Sequence, residues 1–242
     1  MEGQAKGEMM LLEVKGLRSG YGGKEILHGI FLKIDKSELV GLFGHNGAGK
    51  TTAVSTILGH IKATAGSILL NGQEISDWDP SKRVSQGISL VPQGNNCFSE
   101  LSVAENLRMG SYLVREASLV NEQLKNVYRI FPILEKRKSQ LGGLLSGGEQ
   151  QMLGMAIGMM SRPKLMLLDE PTLGLAPTLV ERVMETVQQI NRDFGISILL
   201  VEQNVGLGLS VTQRAYFMKL GEIVVEDSSE KLASRGSFWD LF

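Results

Sequence analysis

The run Gly44-His45-Asn46-Gly47-Ala48-Gly49-Lys50-Thr51-Thr52 follows directly on the apolar stretch Leu39-Val40-Gly41-Leu42-Phe43. A buried strand, a glycine turn and a helix opening on Lys-Thr form a narrow specification. Glycines let the backbone bend so that successive N–H groups face one anion. The helix N-terminus behind them adds partial positive charge. In the spacing Gly-x4-Gly-Lys-Thr, Lys50 is placed to bridge the β- and γ-phosphates of a nucleotide, and the Thr51 hydroxyl to sit on Mg²⁺. Thr52 is placed to reach the α-phosphate. Gly44, Gly47, Ala48 and Gly49 offer backbone N–H groups, and Asn46 shapes the loop.

Apolar runs alternating with helical patterns predict an α/β fold with a mainly parallel sheet. Further strands are expected at Ile88–Val91, stopped by Pro92, at Leu165–Leu168 and at Ile196–Val201. The helix after the glycine loop is expected over Lys50–Leu58. Residues 11–17 and 30–35 alternate like strands of a small antiparallel sheet, and Tyr216–Met218 and Ile223–Val225 flank Gly221 as a hairpin. The stretch from about 95 to 160 reads as helical. Ser102-x-x-Glu105 has capping-box spacing. Apolar spacing at Leu124, Val127, Tyr128 and Phe131 predicts a helix that Pro132 interrupts.

Asp169-Glu170 closes the apolar run 165–168 at the edge where α/β sheets bind ligands. Asp169 is expected to hold Mg²⁺ through water, and Glu170 to polarise the attacking water. Tyr21, in Ser19-Gly20-Tyr21-Gly22-Gly23, is a candidate to stack on a base, although a turn tyrosine is the commoner reading. Ser146-Gly147-Gly148-Glu149 opens a helix, expected to begin near Glu149, whose N–H groups and dipole form a second anion site. One chain has no phosphate to place there, so a partner is expected to supply it.

The 242 residues, 43% hydrophobic, suffice for one large domain or a domain with a subdomain. A net charge of −1 argues against a nucleic-acid footprint and a polybasic membrane tract. The single cysteine, Cys97, fits a reducing compartment. No apolar run approaches the roughly 18 residues of a membrane span, so the chain is expected to be soluble on its own. Residues 1–8 read as a frayed polar terminus rather than a signal peptide.

With the glycine loop, Gln93, Leu145-Ser146-Gly147-Gly148-Glu149-Gln150 and the acid pair in that order, the chain resembles the ATP-binding cassette of ABC transporters over nearly its full length. The resemblance implies one domain over residues 9–242. A P-loop RecA-like core with an antiparallel β subdomain would occupy 9–94 and 161–242, and an inserted α-helical subdomain about 95–160. It implies ATP and Mg²⁺, and a head-to-tail dimer in which each ATP lies between one glycine loop and the opposite Ser146–Glu149 signature. Gln93 would contact Mg²⁺ or the water and relay nucleotide state to the helical insert. That insert would hold the membrane partner through Phe98–Leu101 and residues 106–116. Implied partners are two transmembrane permease subunits, a second cassette ATPase in a hetero- or homodimer, and indirectly an extracytoplasmic substrate-binding protein. Nucleic acid is not among them. The place implied is peripheral, on the cytoplasmic face of the inner membrane.

Three positions depart from the common family pattern. Gln203 stands where the switch histidine is usual; it can hydrogen-bond a γ-phosphate but cannot carry an imidazolium charge. Ala176 stands where many members have aspartate, and Ile157 where an arginine is usual. The first two departures, with Glu149–Leu153 and Gly174–Pro177, resemble the second ATPase subunit of branched-chain amino acid importers. Relatives importing urea, short amides or other hydrophobic amino acids look much the same. Pro92-Gln93-Gly94-Asn95 follows the wider superfamily instead. An exporter of lipid or lipopolysaccharide is the rival within the family. A DNA-maintenance ATPase would need a coiled coil between loop and signature, where only about ninety residues without heptads intervene.

Overall fold

The computed structural model describes residues 10–94 and 97–234. The polar start, residue 9, Asn95, Asn96 and residues 235–242 of the expected domain lie outside the described residues.

Two sheets form the frame. Strands β1 (Met10–Tyr21) and β2 (Lys24–Asp35) pair antiparallel, as their alternation predicted; β1 runs longer than expected at both ends and β2 begins earlier than expected but ends at Asp35 as expected. The sheet is completed by β4 (Ala63–Leu70) and the short β5 (Gln73–Glu74), in the order β2-β1-β4-β5. Neither β4 nor β5 was anticipated: Ala63-Thr64-Ala65-Gly66 has no apolar alternation, and pairing with β1 rather than burial makes it a strand. The second sheet contains β3 (Leu39–Phe43), β6 (Ile88–Val91), β7 (Leu165–Asp169), β8 (Ser197–Glu202), β9 (Arg214–Lys219) and β10 (Glu222–Ser228), in the order β10-β9-β3-β8-β7-β6. All its neighbours are parallel except the β9–β10 hairpin.

Helix α1 (Lys50–Leu58) leaves the glycine loop where expected and packs with β1, β2, β6 and β7. Val40, Leu42, Leu165, Leu167 and Leu199 join Val54 and Ile57 in a core between the two sheets. The short helix α2 (Pro80–Ser85) contributes Arg83, which is only 2% exposed. Its guanidinium donates to the α1 carbonyls of Thr56 and Ile57, each at 2.8 Å, and to those of Ser76 (2.7 Å) and Trp78 (3.0 Å). A cation on orphan carbonyls at a helix C-terminus satisfies both their hydrogen bonding and the helix dipole.

Between β6 and β7 the described chain is helical, as expected: α3 (Val103–Gly110), α4 (Ala117–Ile130), α5 (Pro132–Lys136), a 3₁₀ turn (Gly142–Leu144) and α6 (Gly147–Met160). Ser102 and Glu105 form the predicted capping box of α3. Pro132, expected to break the preceding helix, becomes the first residue of α5. Helix α6 starts at Gly147 with Ser146 as N-cap, not near Glu149, because Glu149 Oε2 folds back onto the Ser146 N–H (2.9 Å) and hydroxyl (2.8 Å). Met152, Leu153, Met155, Ala156, Met159 and Met160 bury α6 in a second core on the far side of the parallel sheet. Helix α7 (Pro177–Phe194) closes that core with Val183, Met184, Val187 and Ile190, at helical spacing. Helices α8 (Val205–Val211) and α9 (Ser229–Ala233) cover Phe43 and Phe217 in a third cluster.

Phe98, Met109, Tyr112 and Leu113 are exposed; Tyr112 is 83% and Phe98 53% accessible, so neither is core. Asn106 and Leu107, in the same expected docking stretch, are fully buried and serve packing instead. No described helix is long and apolar enough to cross a membrane.

Arg83→Met leaves buried carbonyls without a donor and costs about 3 kcal/mol of stability. Arg83→Lys recovers only part, because an ammonium cannot fork to four carbonyls. Urea unfolding of the three proteins measures both effects.

Candidate functional site

The register of the parallel sheet assembles the site. Phe43 lies opposite Glu202, Asp169 opposite Val201, and Val91 opposite Leu168. Strands β3, β8, β7 and β6 therefore end nearly level, and the glycine loop, Gln203, the acid pair and Gln93 emerge at one edge. A cavity of about 260 Å³ opens there, lined by Tyr21, Ile26, Asn46, Gly47, Gly49, Lys50, Thr51, Thr52, Gln93 and Glu170. Sequence reasoning named all of these but Ile26.

Two glycines of the loop have no substitute. Gly49 has φ +108°, a conformation L side chains rarely adopt. A Cβ on Gly44 would lie 2.4 Å from the Met218 carbonyl oxygen of the hairpin beneath. Ala48 and Asn46 border a smaller neighbouring cavity with Met218 and Leu220. The loop is pinned from below by the Gly221 N–H, which donates to the Ala48 carbonyl at 2.8 Å.

Lys50 is 4% exposed. Its ammonium donates to the carbonyls of Gly44 (2.8 Å) and His45 (3.2 Å) and lies 3.4 Å from Glu170 Oε1. The other oxygen of Glu170 accepts from Gln203 Nε2 at 2.6 Å and from Gln93 Nε2 at 3.4 Å. One cation and two amides thus converge on one carboxylate at the cavity wall. Beside it, Asp169 is 3% exposed and accepts from the Thr51 hydroxyl, while its buried Oδ1 has no hydrogen-bond partner. A buried anionic oxygen beside a threonine hydroxyl is the donor set of a hard divalent cation. The residues therefore fit Mg²⁺.

Ser146, Gly147, Gly148 and Glu149 line no part of this cavity. They form the N-terminus of α6, with Ser146 and Gly147 exposed and Glu149 tied to Arg137 at 2.9 Å. Gly148 faces Leu179 at the start of α7, and exposed Leu144 and Leu173 flank the two segments.

Glu202 and Thr172 were missed. Glu202 is buried and accepts from the Thr172 N–H (3.2 Å) and hydroxyl (2.7 Å). The signal was present: Ile198-Leu199-Leu200-Val201-Glu202 is an apolar strand ending in an acid, as 165–169 is.

Burial holds the Asp169 carboxyl above its ordinary range; the Thr51 hydrogen bond opposes this, Glu170 adds to it, and Lys50 opposes it. The folded protein binds this proton more tightly than the unfolded chain. Stability therefore falls as pH rises from the ordinary carboxylate value through the folded-state value, and stays lower above it. Asp169→Asn accordingly raises the Tm by a few degrees at neutral pH in nucleotide-free, metal-free buffer. The gain shrinks as pH is lowered towards the ordinary carboxylate range, which thermal unfolding across pH checks.

Residues 27–173 match the ABC transporter family. The chain is 39% identical over 222 residues to the high-affinity branched-chain amino acid transport ATP-binding protein BraG of Pseudomonas aeruginosa, covering 92% of this chain and 94% of that one. It is 34% identical to the probable branched-chain amino acid transport ATP-binding protein LivF of Archaeoglobus fulgidus, covering 96% and 98%. Identity to the lipopolysaccharide export ATP-binding protein LptB of Escherichia coli is 31%, covering 93% of each. Among solved structures, an ATP-binding cassette of an ABC transporter in its ADP conformation superposes with a TM-score of 0.85 at 23% identity, over 96% of this chain and 98% of that one. A cassette from Clostridium perfringens, part of the complex cbiONQ, gives 0.83 at 25%, over 94% and 92%. The fold is that of these cassettes, and the chain belongs to the ABC transporter family as an ATP-binding, ATP-hydrolysing subunit.

Proposed function

We propose that this ATPase energises an importer of branched-chain or other hydrophobic amino acids. The carrying observation for the chemistry is the Glu170 carboxylate, held by Lys50, Gln93 and Gln203 at the wall of the glycine-loop cavity. Likeness over nine-tenths of both chains to the two branched-chain amino acid relatives supports the cargo class.

In this reading the N–H groups of Gly44, Gly47, Ala48 and Gly49 cradle the phosphates, Lys50 meets the β- and γ-phosphates, and Thr52 reaches the α-phosphate. Asn46 shapes the loop, and Tyr21, exposed at the cavity rim, stacks on the base. Thr51, Asp169 and Gln93 would hold Mg²⁺, which when bound neutralises charge on the phosphates. Glu170 orients and polarises the attacking water. Gln203, donating to that carboxylate, takes the place of the switch histidine. Ser146, Gly147, Gly148 and Glu149 act on the nucleotide of a second cassette across a face that includes exposed Leu144 and Leu173. The second cassette is a copy of this chain or a related one. Residues 95–160 serve as the helical subdomain, and exposed Phe98, Met109, Tyr112 and Leu113 receive one of two membrane permeases. The complex sits on the cytoplasmic face of the membrane and is served by an extracytoplasmic binding protein.

Purification from detergent-solubilised membranes of the source cell, with co-purifying chains identified by mass spectrometry, tests the assignment. Two multi-spanning proteins and a second cassette ATPase are expected; a lipid-handling partner would move the chain to the export branch. In the assembled complex, Glu170→Gln keeps ATP binding, loses hydrolysis by about 100-fold or more, and accumulates the closed dimer. Normal turnover would remove Glu170 from its role. Lys50→Ala lowers ATP affinity at least about tenfold by calorimetry, since it removes a charge-assisted contact to phosphate.

A further inference from the structure

Glu202 is a buried carboxylate, 3% exposed, next to a site that already contains two acids. Packing alone does not call for it, because an apolar residue would end β8 at lower cost. Three donors meet it. Oε1 accepts from the Thr172 hydroxyl (2.7 Å) and N–H (3.2 Å), and Oε2 accepts from the Gln203 N–H (3.3 Å). A carboxyl group can accept on both oxygens, whereas glutamine would turn an NH₂ towards one set of donors.

The contacts close a ring. Glu170, Pro171 and Thr172 are consecutive, Thr172 bonds Glu202, Glu202 precedes Gln203, and Gln203 Nε2 returns to Glu170 Oε2 at 2.6 Å. Glu170 needs such support, since it sits at φ +50°, in the left-handed region that non-glycine residues avoid. Its N–H bonds the Val201 carbonyl at 2.9 Å, and its carbonyl accepts from the Leu173 N–H at 3.1 Å. Glu202 grips both the turn after Glu170 and the backbone of Gln203.

We propose that Glu202 is a positioning residue for hydrolysis. Through Thr172 it fixes the turn that presents Glu170, and through the Gln203 backbone it aims the Gln203 amide at the same carboxylate. The inference rests on the reading of Glu170 as the group that polarises water. It makes hydrolysis, and not nucleotide affinity, the property that depends on Glu202.

The test uses the complex purified with its membrane subunits, comparing Glu202→Gln, Thr172→Val, Thr172→Ser and the double variant Thr172→Val/Glu202→Gln. Expected are kcat values about tenfold or more below the parent for Glu202→Gln and Thr172→Val, with the KM and Kd for ATP within about twofold. Thr172→Ser restores the hydroxyl and returns kcat to within about twofold of the parent. The double variant is no slower than the slower single one, because both break the same ring. Parental kcat in Glu202→Gln, a Thr172→Ser variant as slow as Thr172→Val, or ATP affinity falling in step with kcat would each overturn the proposal. If Glu202→Gln fails to fold, the valine and serine pair decides alone. Glu170→Gln measured alongside separates the two levels: if it hydrolyses normally, the underlying reading fails. If it is inactive while Glu202→Gln is fully active, only the Glu202 inference fails.

Discussion

Parallel pairing of β3, β8 and β7 in one register is the constraint on which the site depends. With Phe43 opposite Glu202 and Asp169 opposite Val201, three strands far apart in sequence deliver their loops to the same edge within about one residue spacing, about 3.3 Å. A slip of one residue would turn every side chain of a strand to the other face. Such a slip is resisted because both faces are occupied: Val40 and Leu42 point into the core shared with the antiparallel sheet, while Ile198 and Leu200 point into the core shared with α6 and α7. The apolar content of these strands thus fixes the placement of charged groups that contribute nothing to the core.

Those charges are gathered at a cost. Lys50, Asp169, Glu170 and Glu202 are each less than a tenth exposed, one cation among three acids. Lys50 and two amides offset the charge of Glu170, and Thr172 with the Gln203 N–H offsets that of Glu202. Asp169 keeps one oxygen without a protein partner. Sites that store unfavourable electrostatics in the resting fold gain most when a ligand supplies the missing charge, and they are where stability is given up for function.

Legibility followed locality. The glycine loop, the Ser102 capping box, α1 and the β9–β10 hairpin were readable because each is specified by a few neighbouring residues. Asp169 and Glu170 were readable because they close an apolar strand, whereas Gln93 and Gln203 were reached only through the resemblance to the ATP-binding cassette. Strands β4 and β5 escaped because Ala63–Gly66 owes its strand conformation to backbone pairing with β1, which no periodicity announces. Thr172–Glu202 escaped because the pair is thirty residues apart in sequence and defined by distance. The start of α6 was placed late because Glu149 reads locally as the first helical residue, whereas its side chain acts backwards as the partner of Ser146.

Residues 146–149 and the glycine loop share one chain without sharing one cavity. Ser146 and Gly147 are exposed at the N-terminus of α6, where the helix dipole favours anions. Gly148 rests on Leu179 of α7, the helix that begins just after the turn held by Glu202. In the proposed dimer the outward anion site of one cassette and the turn carrying Glu170 are therefore mechanically adjacent.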